Sequence, residues 1–332
     1  MTRAQRKLER IRQGDYRRSD FLIADAKDSD MGPSMSWAGP VRDAEGRVVR
    51  TRTRSEWLDE MASILEQDIV DIMLTSVSNL EQLVLRGAYG RSGVKPVIRA
   101  NDASDIWRMR GATYAEAPSR PFRSASLAKA MALGADLGLY SITFNNDLDA
   151  DLRSLDAFAA FRRDAEAAGF DYFLEVFNPN VETGIDAETL PHYINDCLLR
   201  CLAGLTIAER PQFLKIAYNG PKALEELASF DPTVIVGVLG GGAGTTRDCF
   251  ELLYQAERYG ARVALFGRKI NLAERPLEMV RHMRAVTDGD LTPLEATRSY
   301  HGALETAGIA PWRPAAEDEA VTEEVLKAAC SA

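Results

Sequence analysis

Eight short apolar runs, each followed by a longer amphipathic or polar stretch, recur through this chain, and that alternation limits its folds more than any other feature. The runs are residues 21–25 (FLIAD), 69–74 (IVDIML), 94–100 (VKPVIRA), 137–144 (LGLYSITF), 172–177 (YFLEVF), 213–218 (FLKIAY), 233–239 (TVIVGVL) and 262–266 (RVALF). Each has the length and composition of a strand buried on both faces. Helical spacing predicts helices over 55–68, 79–86, 126–133, 154–168, 190–205, 220–228, 246–259 and 278–286. In the first of these Ser55 can cap, and Trp57, Leu58, Met61, Ile64 and Leu65 recur on one face. Gly169 and Gly260 stop two others, and Pro221 sits in a first turn.

Eight strand–helix units over about 290 residues imply an α/β fold, a single (β/α)8 TIM barrel. A doubly wound open sheet would carry its glycine fingerprint after the first strand, whereas the glycine cluster here follows the seventh. The expected layout is an N-terminal arm or helix over 1–20, the barrel over 21–290 and a C-terminal helical extension over 291–332. A polar, Arg-rich stretch over 27–54 is too long for a simple turn and reads as a functional loop.

In a barrel, side chains that act on a ligand stand at the C-terminal ends of strands. That rule selects Asp25, Lys27, Thr75, Arg99, Asn145, Asp147, Glu175, Lys215, Tyr218, the 240–246 loop and Arg268. Lys215 is the most informative, because it lies between Leu214 and Ile216 in an apolar strand. Burial favours the neutral form of an amine, and a neutral amine attacks a ketone or aldehyde to give an imine. The alternative is a lysine directed at the helices with its head reaching water. Glu175, inside FLEVF, and Asp25 are carboxylates in apolar strands, suited either to proton transfer or to structural ion pairs. Glycines 240–242 precede a helix, so backbone N–H groups and the helix dipole can hold an anion there. The next loop adds Gly267 and Arg268, in the place where barrels often bind phosphate.

Other chemistries fit less well. The three histidines, His192, His282 and His301, are far apart, so no metal site is expected. Cys197 and Cys201 share a helix face near His192 and read as core residues rather than ligands. The glycine loop lacks the Gly-Lys-Ser/Thr ending of a nucleotide-hydrolysing loop. With 46% hydrophobic and 27% charged residues among 332, the composition is that of a globular protein. A net charge of −9 argues against general nucleic-acid binding. No run is long enough to span a membrane, and the basic N-terminus lacks the apolar core of a secretory signal, so a cytoplasmic location is expected. No cofactor is called for.

The combination of FLKIAYNGP, GVLGGGAGTT and ALFGRKIN resembles the class I (Schiff-base) aldolases of the DeoC/LacD type, most clearly over 172–271. That group includes tagatose-bisphosphate, archaeal-type fructose-bisphosphate and sulfofructose-phosphate aldolases. The resemblance implies carbon–carbon cleavage of a phosphorylated ketose or related sugar derivative, in a protein that associates into homo-oligomers. It implies Lys215 as the imine-forming residue, Asp25 as the first-strand acid and Phe173-Leu174-Glu175 as the fifth-strand motif. Gly240, Gly241 and Gly242, with Gly267 and Arg268, would bind phosphate. The sequence departs from the family in having no lysine in the fourth-strand run LYSITFNND and no evident fifth-strand tyrosine. Tyr140, Tyr218 and Lys27 are then alternative proton donors. Thiolase-type acyl transfer on the same barrel and a non-catalytic sugar-phosphate-binding barrel are the rival readings.

Overall fold

Alternation along the apolar runs decides which side chains enter the barrel. The computed structural model describes residues 1–32, 35–43, 46–242 and 244–330. Its eight barrel strands are β1 (Leu22–Lys27), β2 (Ile72–Thr75), β3 (Lys95–Arg99), β4 (Leu137–Thr143), β5 (Asp171–Phe177), β6 (Leu214–Ile216), β7 (Val236–Leu239) and β8 (Val263–Phe266). All pair in parallel with their sequence neighbours, and β8 returns to β1 to close the ring. This is the expected (β/α)8 barrel.

The interior floor is apolar: Leu22, Ala24, Ile72, Leu74, Val97, Leu139, Phe173, Phe213, Val263 and Leu265 form one buried cluster. Phe173 and Phe213 stack at 4.3 Å. Burying side chains of this size contributes about 2–3 kcal/mol each. The N-terminal segment is a helix, Arg3–Arg12, capped by Thr2. Its Ala4 and Leu8 join the interior cluster, while Lys7 donates to Asp71 and to the Phe21 carbonyl. A second, larger cluster lies between strands and helices and contains Ile23, Met73, Ile98 and Tyr140. Interior and exterior positions therefore alternate along each strand.

Two features differ from the sequence expectation. The helix after β4 begins at Leu148, not at 154, because Asp147 caps it and Asp149 and Asp151 favour its positive end. Its first turns read as polar because Leu148 and Leu152 face solvent. The 27–54 stretch is partly ordered: 3-10 turns at Ser29–Met31 and Met35–Ala38 precede a hairpin of Pro40–Arg42 with Val48–Thr51. Residues 33, 34, 44 and 45 of that stretch lie outside the described residues, as does Ala243 of the 240–246 loop. The chain past the barrel forms helices Pro293–Thr306, Ala315–Asp318 and Glu324–Cys330. Among the described residues no helix is long and apolar enough to cross a membrane.

Candidate active site

Above the apolar floor the interior changes character. Register places Ser141, Glu175, Lys215 and Gly237 side by side on β4 to β7. Glu175 and Lys215 are almost wholly buried, and the Lys215 Nζ lies 2.5 Å from Glu175 Oε1. The other carboxylate oxygen, Oε2, accepts from Arg99 at 3.1 Å. Arg99 also donates through Nε to Asp28 Oδ2 at 2.6 Å and through a terminal nitrogen to Ser141 Oγ at 3.2 Å. The result is a row of alternating charge, Lys215–Glu175–Arg99–Asp28, in which each buried ion has a counter-ion. Burying Lys215, Glu175 and Arg99, with Asp28 largely covered beside them, is tolerable only because they are paired in this way.

The row has its own electrostatics. Burial alone would raise the Asp28 carboxyl, but the Arg99 guanidinium and the Lys215 ammonium hold it below the usual carboxylate range. Burial opposes the Arg99 charge, and Asp28 and Glu175 more than offset it. Gly237 stands next to Lys215, and a Cβ there would come 2.8 Å from the Leu214 carbonyl oxygen. Only glycine fits between β6 and β8 at this position, which lets the strands around Lys215 pack closely.

Lys215, Glu175, Arg99 and Asp28 line a cavity of ≈ 390 Å³ at the C-terminal mouth of the barrel, together with Gly240, Gly241, Gly267 and Arg268. A cavity this size takes a small metabolite. Gly267 packs so closely on β1 that a Cβ would lie 2.6 Å from the Ala26 carbonyl oxygen. Arg268 donates to the Gly241 carbonyl and lies over the Trp37 ring at 5.1 Å. Its pKa is lowered by burial first and then by Arg108, a second guanidinium in the same lining. Arg108 and Arg268 make no ion pair among the described residues. Glu323 acts on Arg268 only from beyond ion-pair distance, so the two cations at one cavity mouth provide a local field that attracts anions, despite the net charge of −9.

The site residues expected from sequence do not all meet here. Lys215, Glu175, Gly240, Gly241, Gly267 and Arg268 line the cavity, and Gly242 does not. Asp25 faces the other way: β1 turns Leu22, Ala24 and Ala26 inward, and Asp25 and Lys27 toward the helices. There Lys27 donates to Glu60 Oε1 at 2.7 Å and to Asn271 Oδ1, and stands 3.5 Å from Asp25. Among the described residues Asp25 has only this long contact with Lys27, and burial, partly offset by Lys27, pushes its carboxyl up to about 7. The acid at the mouth of β1 is Asp28, the residue that follows the strand.

Tyr140 stacks on Phe161 at 4.4 Å in the outer core, and the Tyr218 hydroxyl donates to Gln255 at 2.7 Å, so neither reaches the cavity. The helix expected to present its N-terminus to an anion, Thr246–Arg258, already has carboxylates there. Thr245 N donates to Asp248 at 2.8 Å and Thr246 N to Asp318 at 2.8 Å. Buried Lys269 holds the preceding loop through the carbonyls of Gly244 and Thr245. Arg108 and Asp105, from the long loop after β3, escaped the sequence reading because no strand end or motif marks them. His192 pairs with Glu226, and Cys197 and Cys201 are half-buried against the core. Among the described residues no three His, Cys, Asp or Glu side chains are grouped to hold a metal ion.

No family model matches the chain, and no curated protein matches it. Solved structures do. An archaeal fructose 1,6-bisphosphate aldolase aligns with a TM-score of 0.63 at 16% identity, covering 86% of this chain and 99% of that one. An archaeal fructose-1,6-bisphosphate aldolase with its catalytic lysine covalently bound to the carbinolamine intermediate aligns equally well, at 0.63 and 16%, over 86% of this chain and 100% of that one. A protein of Corynebacterium glutamicum aligns at 0.55 and 18%, over 87% and 98%. At these identities the likeness shows a shared barrel fold.

Proposed function

We propose that this protein is a class I aldolase that cleaves or forms a carbon–carbon bond in a phosphorylated ketose or related sugar derivative, through an imine on Lys215. The observation that carries the reading is the Lys215–Glu175 pair, 2.5 Å apart and buried, in the cavity that also holds two unpaired arginines. An amine that must lose a proton to react has its acceptor in contact.

Glu175 takes the ammonium proton, and the freed amine adds to the substrate carbonyl to give a carbinolamine. Glu175 returns the proton to the departing hydroxyl, water leaves, and a protonated imine remains. The hydroxyl two carbons away gives its proton to Asp28, and the electrons of the breaking carbon–carbon bond flow into the imine. An aldehyde and an enamine result. Protonation of the enamine and addition of water return Lys215 and release the second carbonyl product. Arg99 stays charged throughout and holds the two carboxylates apart in role: Glu175 on the nitrogen, Asp28 on the hydroxyl. The substrate phosphate sits against Gly240, Gly241 and Gly267, with Arg268 and Arg108 supplying charge.

Cleavage of phosphorylated ketoses, followed by release of the aldehyde, tests the reading. Lys215→Met is expected to reduce turnover by roughly 10⁴-fold or more, since no other group supplies the electron sink. Turnover retained in that variant removes the proposal.

A further inference from the structure

A second cavity, ≈ 700 Å³, adjoins the catalytic one and is larger than it. It is bounded by the Arg-rich stretch after β1 and by the loop after β3, and none of its own lining residues takes part in the imine chemistry. The two cavities share a thin wall. Ser29 and Gly32 line both. Along 106–110, Ile106 and Arg108 line the catalytic cavity, and Trp107, Met109 and Arg110 line the other.

The lining has a definite chemistry. Its apolar part is Met35, Ala38, Trp57, Trp107 and Met109. Trp107 stacks on Tyr114 at 5.1 Å and leans on Phe122 at 5.3 Å, so its ring is held in place by its neighbours. Three arginines also contribute, and two are already engaged. Arg52 pairs with Glu60 at 2.5 Å, and Arg54 donates to Asn79 Oδ1 at 3.0 Å and Ser78 Oγ at 2.7 Å. Arg110 makes no ion pair among the described residues. The single carboxylate, Asp30, is tied to Ser76 Oγ at 2.6 Å and Asn79 Nδ2 at 3.0 Å. An apolar pocket of this volume with one uncommitted cation fits a ligand that pairs a ring or branched chain with a negative charge.

We propose that this cavity is a binding site for an apolar organic anion, an aromatic or branched carboxylate or phosphate ester. Its apolar body lies among Trp57, Trp107 and Met109, and its charge meets Arg110. The proposal does not depend on the imine at Lys215. It concerns a neighbouring site whose wall is also the wall of the catalytic cavity.

Calorimetric titration of the full chain with 2-naphthoate tests it. The expected result is one site per chain, with a Kd on the order of 10–100 µM. Arg110→Glu is expected to weaken binding about fivefold or more, through loss and reversal of the charge. Ala38→Phe and Met109→Trp each fill the cavity with a larger side chain, and each is expected to weaken binding about tenfold or more. Both fillings are used, with thermal melting to confirm folding, because the 7%-exposed Ala38 has core neighbours. Lys215→Met is expected to bind naphthoate as the parent does, and dihydroxyacetone phosphate is expected not to displace it. Absence of binding, undiminished binding in both folded filling variants, or displacement by dihydroxyacetone phosphate would overturn the proposal. The last outcome would place the probe in the catalytic cavity instead.

Discussion

Lys215 and Glu175 occupy paired positions on adjacent parallel strands, and the register that aligns their Cα atoms also brings Nζ and Oε1 to 2.5 Å. Neither side chain has to search for the other, because the sheet ladder fixes both. Arg99 fixes the far side of Glu175 and carries the charge pattern on to Asp28.

Glu175→Gln keeps the shape and removes the proton acceptor. Imine formation is expected to slow by roughly 10²–10⁴-fold while the final extent of trapping at Lys215 is kept. Rapid-quench sampling of the borohydride-reduced adduct separates rate from extent. An unchanged rate would assign the proton to another group.

Arg99→Met leaves Asp28 and Glu175 buried without the guanidinium between them. Breaking a buried ion network in this way costs about 3–5 kcal/mol. Urea denaturation is expected to show that loss at neutral pH. It is expected to shrink as the pH falls and Asp28, no longer held low by the guanidinium, takes up a proton.

Asp25 makes the opposite prediction about function. Burial pushes its carboxyl up to about 7, against about 3.9 in an unfolded chain. Between those values the folded protein binds the extra proton, so this group lowers stability as pH rises from about 4 to 7. Asp25→Asn is expected to stabilise the fold at pH 8 by on the order of 1 kcal/mol or more, with the gain shrinking as the pH falls and little change below about pH 4. Turnover is expected to be preserved, because Asp25 lies outside the cavity. Loss of turnover in a stably folded Asp25→Asn protein would return this residue to the chemistry.

Arg108→Ala and Arg268→Ala are each expected to raise KM about 10–100-fold for a phosphorylated substrate, with kcat changed about threefold or less. That range corresponds to losing a charged hydrogen bond, about 1.5–3 kcal/mol. Steady-state kinetics against ionic strength checks it, since salt should weaken binding less in the variants than in the parent. Equal KM values in parent and variants would move the anion elsewhere.

Much of this site could be read from the chain, and the part that could not has identifiable causes. A lysine between Leu214 and Ile216 and a glutamate between Leu174 and Val176 are visible because strands buried on both faces tolerate so few charges. The first-strand acid was harder. Asp25 and Asp28 are three residues apart, and a period of two puts the earlier one on the helix side once Ala24 and Ala26 turn inward. Arg108 belongs to a loop with no periodicity, and its place is set by contacts distant in sequence. The carboxylates at the start of Thr246–Arg258 show the same limit, because Asp318 arrives from the C-terminal extension, 72 residues away along the chain.

Reduction with borohydride in the presence of dihydroxyacetone phosphate, followed by peptide mass mapping, tests the central claim most directly. The account predicts one reduced adduct per chain, on the peptide carrying Lys215, and none in Lys215→Met. An adduct on any other lysine, or catalytic turnover of a ketose phosphate with no trappable adduct at all, would contradict it.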